Sequence, residues 1–356
     1  WHLFYKTDAL TGKRIFSFFP EESSVKIYDR DYWWSDAWNP LDYGRDYDFS
    51  RSFFEQFKDL FHTVPLPSHF MTNMVDCTYC TNANDCKNCY LVRGASFTED
   101  SAYLIWDQAS KDSFDSHMTN RCEKGYGNVN VAASYKTLFS VDCENCVDVS
   151  LSKDCVGCTS CFGCVGLRNK SFMIFNEQYT KEEYEEKMGG FNLGSSRALE
   201  ELTQKAHTFW KTAPQKYIHG LKNVDVSGDY IYESKNTHHS FRVRGVEDSK
   251  FIQNILTGPV RDCYDFSNYG DNAELMYECM GSGSGASNVK FTTIAWPNVK
   301  NLTYCFSCNV SSDLFGCVGL RSKQYCILNK QYPKDEYDIL VPKIIEHMKS
   351  TGEYGE

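Results

Sequence analysis

No run or stripe of lysine and arginine occurs in this chain of 356 residues, whose formal charge is −10. Phosphate neutralisation needs clustered basic side chains, so a general nucleic-acid binder is excluded. No apolar stretch exceeds a few residues, which excludes a helical membrane span. No secretory leader is legible after Trp1. The GxSxG elbow, the P-loop and HExxH are all missing. The run Gly281-Ser282-Gly283-Ser284-Gly285 has neither Lys nor a helix start behind it, so it reads as a flexible loop rather than a phosphate cradle.

What the chain does have is a phrase that occurs twice. Phe162-Gly163-Cys164-Val165-Gly166-Leu167-Arg168-Asn169-Lys170 returns as Phe315-Gly316-Cys317-Val318-Gly319-Leu320-Arg321-Ser322-Lys323, an offset of 315 − 162 = 153 residues. At that offset Asn176, Gln178, Tyr179, Lys181, Glu183 and Tyr184 match Asn329, Gln331, Tyr332, Lys334, Glu336 and Tyr337. One structural unit is therefore present twice.

From about residue 74 short apolar segments recur, many opened by Asn or Asp and a small residue, as in Asp85-Cys86, Asp100-Ser101, Asp142-Cys143 and Asp154-Cys155. In the second half Asp248 to Asp262 is 14 residues, Asp262 to Asn288 is 26, and Asn288 to Asn298 is 10. Such a rhythm predicts a mainly β chain, a parallel, right-handed β-solenoid in two repeated blocks, with Asn, Asp and Gly taking left-handed corners. Coils bury their apolar faces only by stacking, so exposed ends need covers. Thr180 through Met188, then Leu199 to Trp210, predict helices over the first end. Pro333 through Met348 predicts a capping helix over the second. Before residue 74 the aromatic run Tyr28 to Phe54 leads into a helix that starts at a capping box, Ser52 with Glu55.

Seventeen cysteines include several CxxC spacings. Cys77, Cys80, Cys86 and Cys89 have the two-knuckle form that suits zinc, though their five-residue linker is short. Cys155, Cys158, Cys161 and Cys164 resemble a ferredoxin-type cluster run, yet in the second copy Ser311 and Leu314 replace Cys158 and Cys161. No metal site is favoured. Packing of reduced thiols in a narrow interior, in a cytoplasmic setting, is the preferred reading, with zinc the one cofactor kept open. Asp262, Asp265, Arg242, Arg244, His238 and His239 are the groups a solenoid lyase or glycosidase would expose on one strand face. Asp at a solenoid corner is also ordinary turn chemistry, and no catalytic residue is assigned.

The phrases Tyr32-Trp33-Trp34-Ser35-Asp36, Asn39-Pro40-Leu41-Asp42-Tyr43-Gly44-Arg45-Asp46, Phe53-Phe54-Glu55-Gln56-Phe57 and Ile327-Leu328-Asn329-Lys330-Gln331-Tyr332, with the doubled Phe-Gly-Cys-Val-Gly-Leu-Arg, resemble an uncharacterised Cys-rich repeat family of environmental bacteria. The resemblance implies a zinc-ribbon-like N-terminal segment and no known activity. Where that family carries ribbon cysteines, this chain reads Lys6 to Lys13 and Asp29 to Tyr32, with no Cys.

The expected organisation is an aromatic-rich cap with a degenerate ribbon-like segment over residues 1–73, a first block over 74–179, and a helical connector over 180–219. A second block over 220–332 and a capping helix over 333–356 follow. The expected role is a non-enzymatic structural or binding scaffold that self-associates or holds a partner protein. A carbohydrate-active enzyme with carbohydrate as its ligand, or a zinc- or iron-binding protein, are the alternatives.

Overall fold

The computed structural model describes residues 3–255 and 257–355. It contains helices α1 (Arg30–Trp34), α2 (Phe53–Thr63), α3 (Lys181–Gly189), α4 (Ser196–Trp210) and α5 (Lys334–Ser350), and is otherwise mainly β. Two compact units form. The first is built on His69–Gln215; the second combines Phe4–Ile15 and Phe19–Ser68 with Lys216–Glu356. Each holds a parallel β-solenoid.

In the first unit every rung finds its partner twelve residues on. Lys87 pairs with Glu99, Tyr135 with Val147, and Val147 with Thr159. The bridges Val75–Lys87, Thr78–Tyr90, Thr81–Arg93 and Asn84–Ser96 step by three along the chain. A coil therefore has four sides of three residues each. On each side one residue at positive φ precedes one that points inward. Asp142, Asn145 and Asp154 have φ of 54°, 53° and 56°, and Cys143, Cys146 and Cys155 behind them are buried. This is the two-part word of the sequence. The left-handed conformation costs an ordinary L-residue about 1–2 kcal/mol, and Asn, Asp and Gly adopt it most readily. Where a bulky residue takes that place it lies across the neighbouring coil. A Cβ on Gly94 would stand 2.7 Å from the Trp106 ring above it.

The interior is narrow, and its small polar side chains have definite work. Ser134 Oγ donates to the Ala132 carbonyl at 2.8 Å and accepts from the Cys146 N–H at 3.1 Å. Cys146 Sγ in turn donates to the carbonyls of Glu144 and Cys155, at 3.3 and 3.4 Å. A polar residue placed inward gains by pairing with backbone, since an unmet buried polar group costs about 1–3 kcal/mol, while Val92, Leu104, Val131 and Val149 take other inward positions. CxxC spacing is thus the three-residue side of the coil.

The second block keeps the design but loosens its metre. Val224 pairs with Lys235 eleven residues on, Lys250 with Tyr264 fourteen on, Tyr264 with Tyr277 thirteen on, and Lys300 with Ser312 twelve on. The sequence step from Asp262 to Asn288 is two coils. The step of ten from Asn288 to Asn298 is not a coil: Asn288 Nδ2 donates to Asn301 Oδ1 and Asn301 Nδ2 to Asp313 Oδ1, both at 2.8 Å. The Gly281–Gly285 stretch also departs from expectation. Ser282 is buried, and a Cβ on Gly283 would meet the Gly270 carbonyl at 2.0 Å. It is a tightly packed side of a coil, because only glycine lets two coils approach so closely there.

The doubled phrase is the closing rung of each block. Strands Thr159–Phe162 and Ser171–Ile174 correspond at the same offset to Ser312–Phe315 and Gln324–Ile327. Each pile then ends in an antiparallel hairpin strand, Glu177–Gln178 or Lys330–Gln331. The Asn176 amide closes the first turn by accepting from Val165 N–H and donating to its carbonyl, both at 2.9 Å. Asn329 does the same to Val318, both at 2.8 Å. Thr180 and Glu183 form the capping box of α3, and α5 starts behind Pro333.

The N-terminal segment packs within the second unit, against the closing rung far away in sequence, as in Arg321 and Ser35, 286 residues apart. Phe53 lies on Phe315 at 5.3 Å and on Tyr304 at 5.2 Å. Arg321 sits over Trp33, Trp34 and Trp38 at 5.2, 5.9 and 5.7 Å and donates to the Ser35 carbonyl at 3.0 Å. The start of α2 differs from the expected capping box. Ser52 accepts from Glu55 N–H at 3.3 Å, but the carboxylate at this terminus is Glu353, which accepts from the N–H groups of Phe53 and Phe54, both at 3.0 Å. A carboxylate there complements the helix dipole.

Candidate interaction face

Stacked coils place outward side chains in columns as regularly as inward ones. In the first unit two adjacent columns of the outer wall are rich in aromatics, Tyr90, Phe114 and Tyr126 in one and Tyr79, Tyr103 and Phe139 in the next. Tyr79 meets Tyr90 at 5.8 Å, Tyr90 meets Tyr103 at 5.7 Å, and Tyr126 meets Phe139 at 5.1 Å. Toward the closing rung this wall is covered. Phe162 stacks beneath Phe191 at 4.8 Å, and Phe175 meets Phe209 of α4 at 5.6 Å. Leu151, Phe162, Ala206 and Trp210 are buried together there. Away from that end Tyr79 meets Phe16 at 5.4 Å, and between the two covers Tyr90, Tyr103 and Phe114 are exposed, Tyr103 to 50%.

The second unit repeats the arrangement with a different cover. Tyr277 and Phe315 stand in one column and Phe291 and Tyr304 in the next, and the four rings meet in turn at 5.4, 4.7 and 5.8 Å. Here α2 lies on the closing coils: Phe54 meets Tyr304 at 5.5 Å and Phe61 meets Phe306 at 5.0 Å. Farther along the wall Tyr264 and Tyr277 are exposed, and Phe251 is 51% exposed. Two covers unrelated in sequence position thus solve one problem: α4 with Phe191 before it, and the Phe-rich face of α2, lie on duplicated aromatic walls.

The cysteines picked out in the sequence point into the piles. Cys155, Cys158, Cys161 and Cys164 take the four inward positions of one coil, with Cys143 and Cys146 twelve residues earlier beneath Cys155 and Cys158; Cys158 lies within hydrogen-bond reach of Cys146, Cys155 and Cys161. Cys77 and Cys89 share one column, while Cys80 and Cys86 belong to others, so the four do not converge as two zinc knuckles would. Among the described residues no group of three or more His, Cys, Asp and Glu side chains is arranged to hold a metal ion. All seventeen cysteines are free thiols. Burial pushes Cys80 and Cys263 up to about 12, whereas hydrogen bonds from neighbouring thiols lower Cys86, Cys158 and Cys164. At the ribbon-like turn, buried Asp8 does the cross-linking. Its carboxylate accepts from the N–H groups of Leu10, Thr11 and Asp29 at 3.3, 3.1 and 3.3 Å. These residues offer no soft ligand set for zinc.

The candidate acids and bases do not meet. Asp262 and Asp265 occupy left-handed corner positions, three residues apart and so on successive sides of the coil. Arg244 pairs with Glu233 at 3.0 Å, His238 approaches Asp225 at 3.8 Å, and His239 stacks on Phe251 at 5.3 Å. Arg242 is buried, and desolvation pushes its guanidinium down to about 10. The wall aromatics are the feature sequence reasoning did not localise. Their signal is a twelve-residue recurrence, Tyr90, Phe114 and Tyr126 with Ala102 interrupting it, visible only once the coil length is known.

No protein-family model matches the chain, and no curated protein is similar to it. Among solved structures it is similar to one titled a putative acetyltransferase from Desulfovibrio desulfuricans G20, at 11% identity and TM-score 0.16, covering 68% of this chain and 66% of that one. It is also similar to UDP-N-acetylglucosamine acyltransferase from Campylobacter jejuni, at 9% identity and TM-score 0.12, covering 80% of this chain and 90% of that one. No helix among the described residues is long and apolar enough to cross a membrane.

Proposed function

We propose that the chain is a non-enzymatic scaffold that self-associates through its bare aromatic walls. The observation that carries this reading is that each wall is half covered by an aromatic-faced element of the chain itself and half exposed. The covered part supports an aromatic, apolar occupant for the remainder. A row of half-exposed Tyr and Phe is self-complementary, as a two-fold interface requires, and such side chains dominate contact energies at interfaces. Full burial of one large apolar side chain contributes about 1.5–3 kcal/mol, so several rungs suffice for a stable pair. The scattered corner acids leave the carbohydrate-active reading without a groove, and it is set aside.

Light scattering on the purified chain tests the proposal. The expected mass is a multiple of 41.0 kDa, falling to the single-chain value in a Tyr90→Ser/Tyr103→Ser variant that melts like the parent. A parent that stays monomeric at every concentration sinks the proposal.

A further inference from the structure

Outside the aromatic wall, the first unit has a cleft whose lining is chemically one-sided. It lies between the end of α4 and the solenoid wall, with a volume of about 540 Å³ over Val141. That is within the range of small-ligand sites, roughly 300–1,000 Å³. Lys153 reaches it from the wall, and His207, Trp210 and Lys211 from the last turn of α4, with Gln204 and Gln215 at its sides. No carboxylate is among the lining residues, in a chain whose formal charge is −10. Of the nearby acids, Asp154 is engaged by Arg168 at 3.4 Å and Asp142 by Asn130 at 2.7 Å.

The cationic groups are held in place. Gln215 Nε2 donates to the carbonyls of Trp210 and Ala213 at 3.0 and 2.9 Å, which leaves its Oε1 to receive Lys153 Nζ at 3.1 Å. The His207 ring rests 4.7 Å from that of Trp210. Trp210 supplies an independent sign of a missing partner. The residue is 7% exposed, and its indole N–H is buried with no acceptor among the described residues. Buried indole N–H groups ordinarily find one. A cation at the C-cap also suits the negative end of the helix dipole, which accounts for Lys211 but for neither Lys153 nor the orphaned indole.

We infer that this cleft binds a small organic oxyanion, a phosphate monoester or a dicarboxylate, between Lys153 and Lys211, with the Trp210 indole as a further donor. Ammonium groups are point-charge partners suited to either oxyanion. The rest of the cleft accommodates the organic body.

The test uses the intact chain. Calorimetric titrations with inorganic phosphate, a hexose phosphate and succinate are paired with the indole N–H resonance of Trp210, assigned by Trp210→Phe. One of the two organic anions is expected to bind and shift that resonance, and which one does identifies the class. Lys153→Gln and Lys211→Gln should each weaken binding about tenfold, the scale of one charge-assisted contact. Arg197→Gln, on the exposed face of the same helix, should leave it unchanged. No binding by any probe up to about 10 mM, weaker than any useful small-anion site, overturns the inference. So does equal weakening by all three substitutions.

Discussion

Removing the Phe53 ring should release α2 from the second block while leaving the first untouched. Phe53 is fully buried and touches Phe54, Phe57, Tyr304 and Phe315 at 5.3, 6.0, 5.2 and 5.3 Å. A Cβ on Gly316 would come within 2.9 Å of its ring, so the pocket is closely fitted and has little freedom to collapse. A Phe→Ala change at such a site costs about 3–5 kcal/mol. A melting temperature reports on the whole chain and does not say which block has loosened. Hydrogen exchange reads the cost locally. Phe53→Ala should speed exchange of the α2 amides between about a hundredfold and a few thousandfold. Amides of Thr159–Phe162 in the first block should not change. A loss below tenfold, or an equal loss in both blocks, would refute the docking argument.

Two further outcomes test the interior. Asp107 is buried in the first pile and accepts from the hydroxyls of Thr98 and Ser110, both at 2.6 Å, and of Thr119; burial raises its carboxyl above the usual range despite these donors. A raised acid favours the folded state fully below its unfolded value, and that contribution is lost as pH rises through the folded one. Asp107→Asn should therefore melt a few degrees above the parent at pH 8, the ~1 kcal/mol scale of a relieved buried charge, with the gap closing toward pH 4; a variant less stable at pH 8 contradicts this. Second, Cys77 is partly exposed and the other sixteen cysteines are buried, so a thiol reagent should label one site quickly in the native protein and the rest only on denaturation. Rapid labelling of Cys155 to Cys164 would mean that the pile breathes or is not packed as described.

Much of the architecture was readable because its local chemistry is repeated. Asp142-Cys143 and Asp154-Cys155 announced a corner and an inward thiol, and the doubled phrase announced two closures. The coil length was not readable. Asn298, one side early, imitates a rung that Asn301 forms, and the looser coils of the second block obscure the twelve-residue period of the first. The cysteines misled in an instructive way, because a period of three reproduces the spacing of metal knuckles without their convergence. Nothing local could have placed Phe53 against Phe315 or Glu353 at the α2 terminus, since those partners meet only through tertiary packing. The half-bare walls were likewise hidden, because exposure is decided by where the covering helices stop.

The four-sided coil also sets how such a chain can change length. Twelve inserted residues would add one complete storey and shift no side chain from inside to outside, whereas a lone extra residue must be absorbed as slack at a corner. The second block already carries such slack, in storeys of thirteen and fourteen, and the first carries none. Duplication of whole storeys is thus the gentle route by which relatives of this protein would lengthen their walls, with the Asn-pinned closures and their helices left as they are.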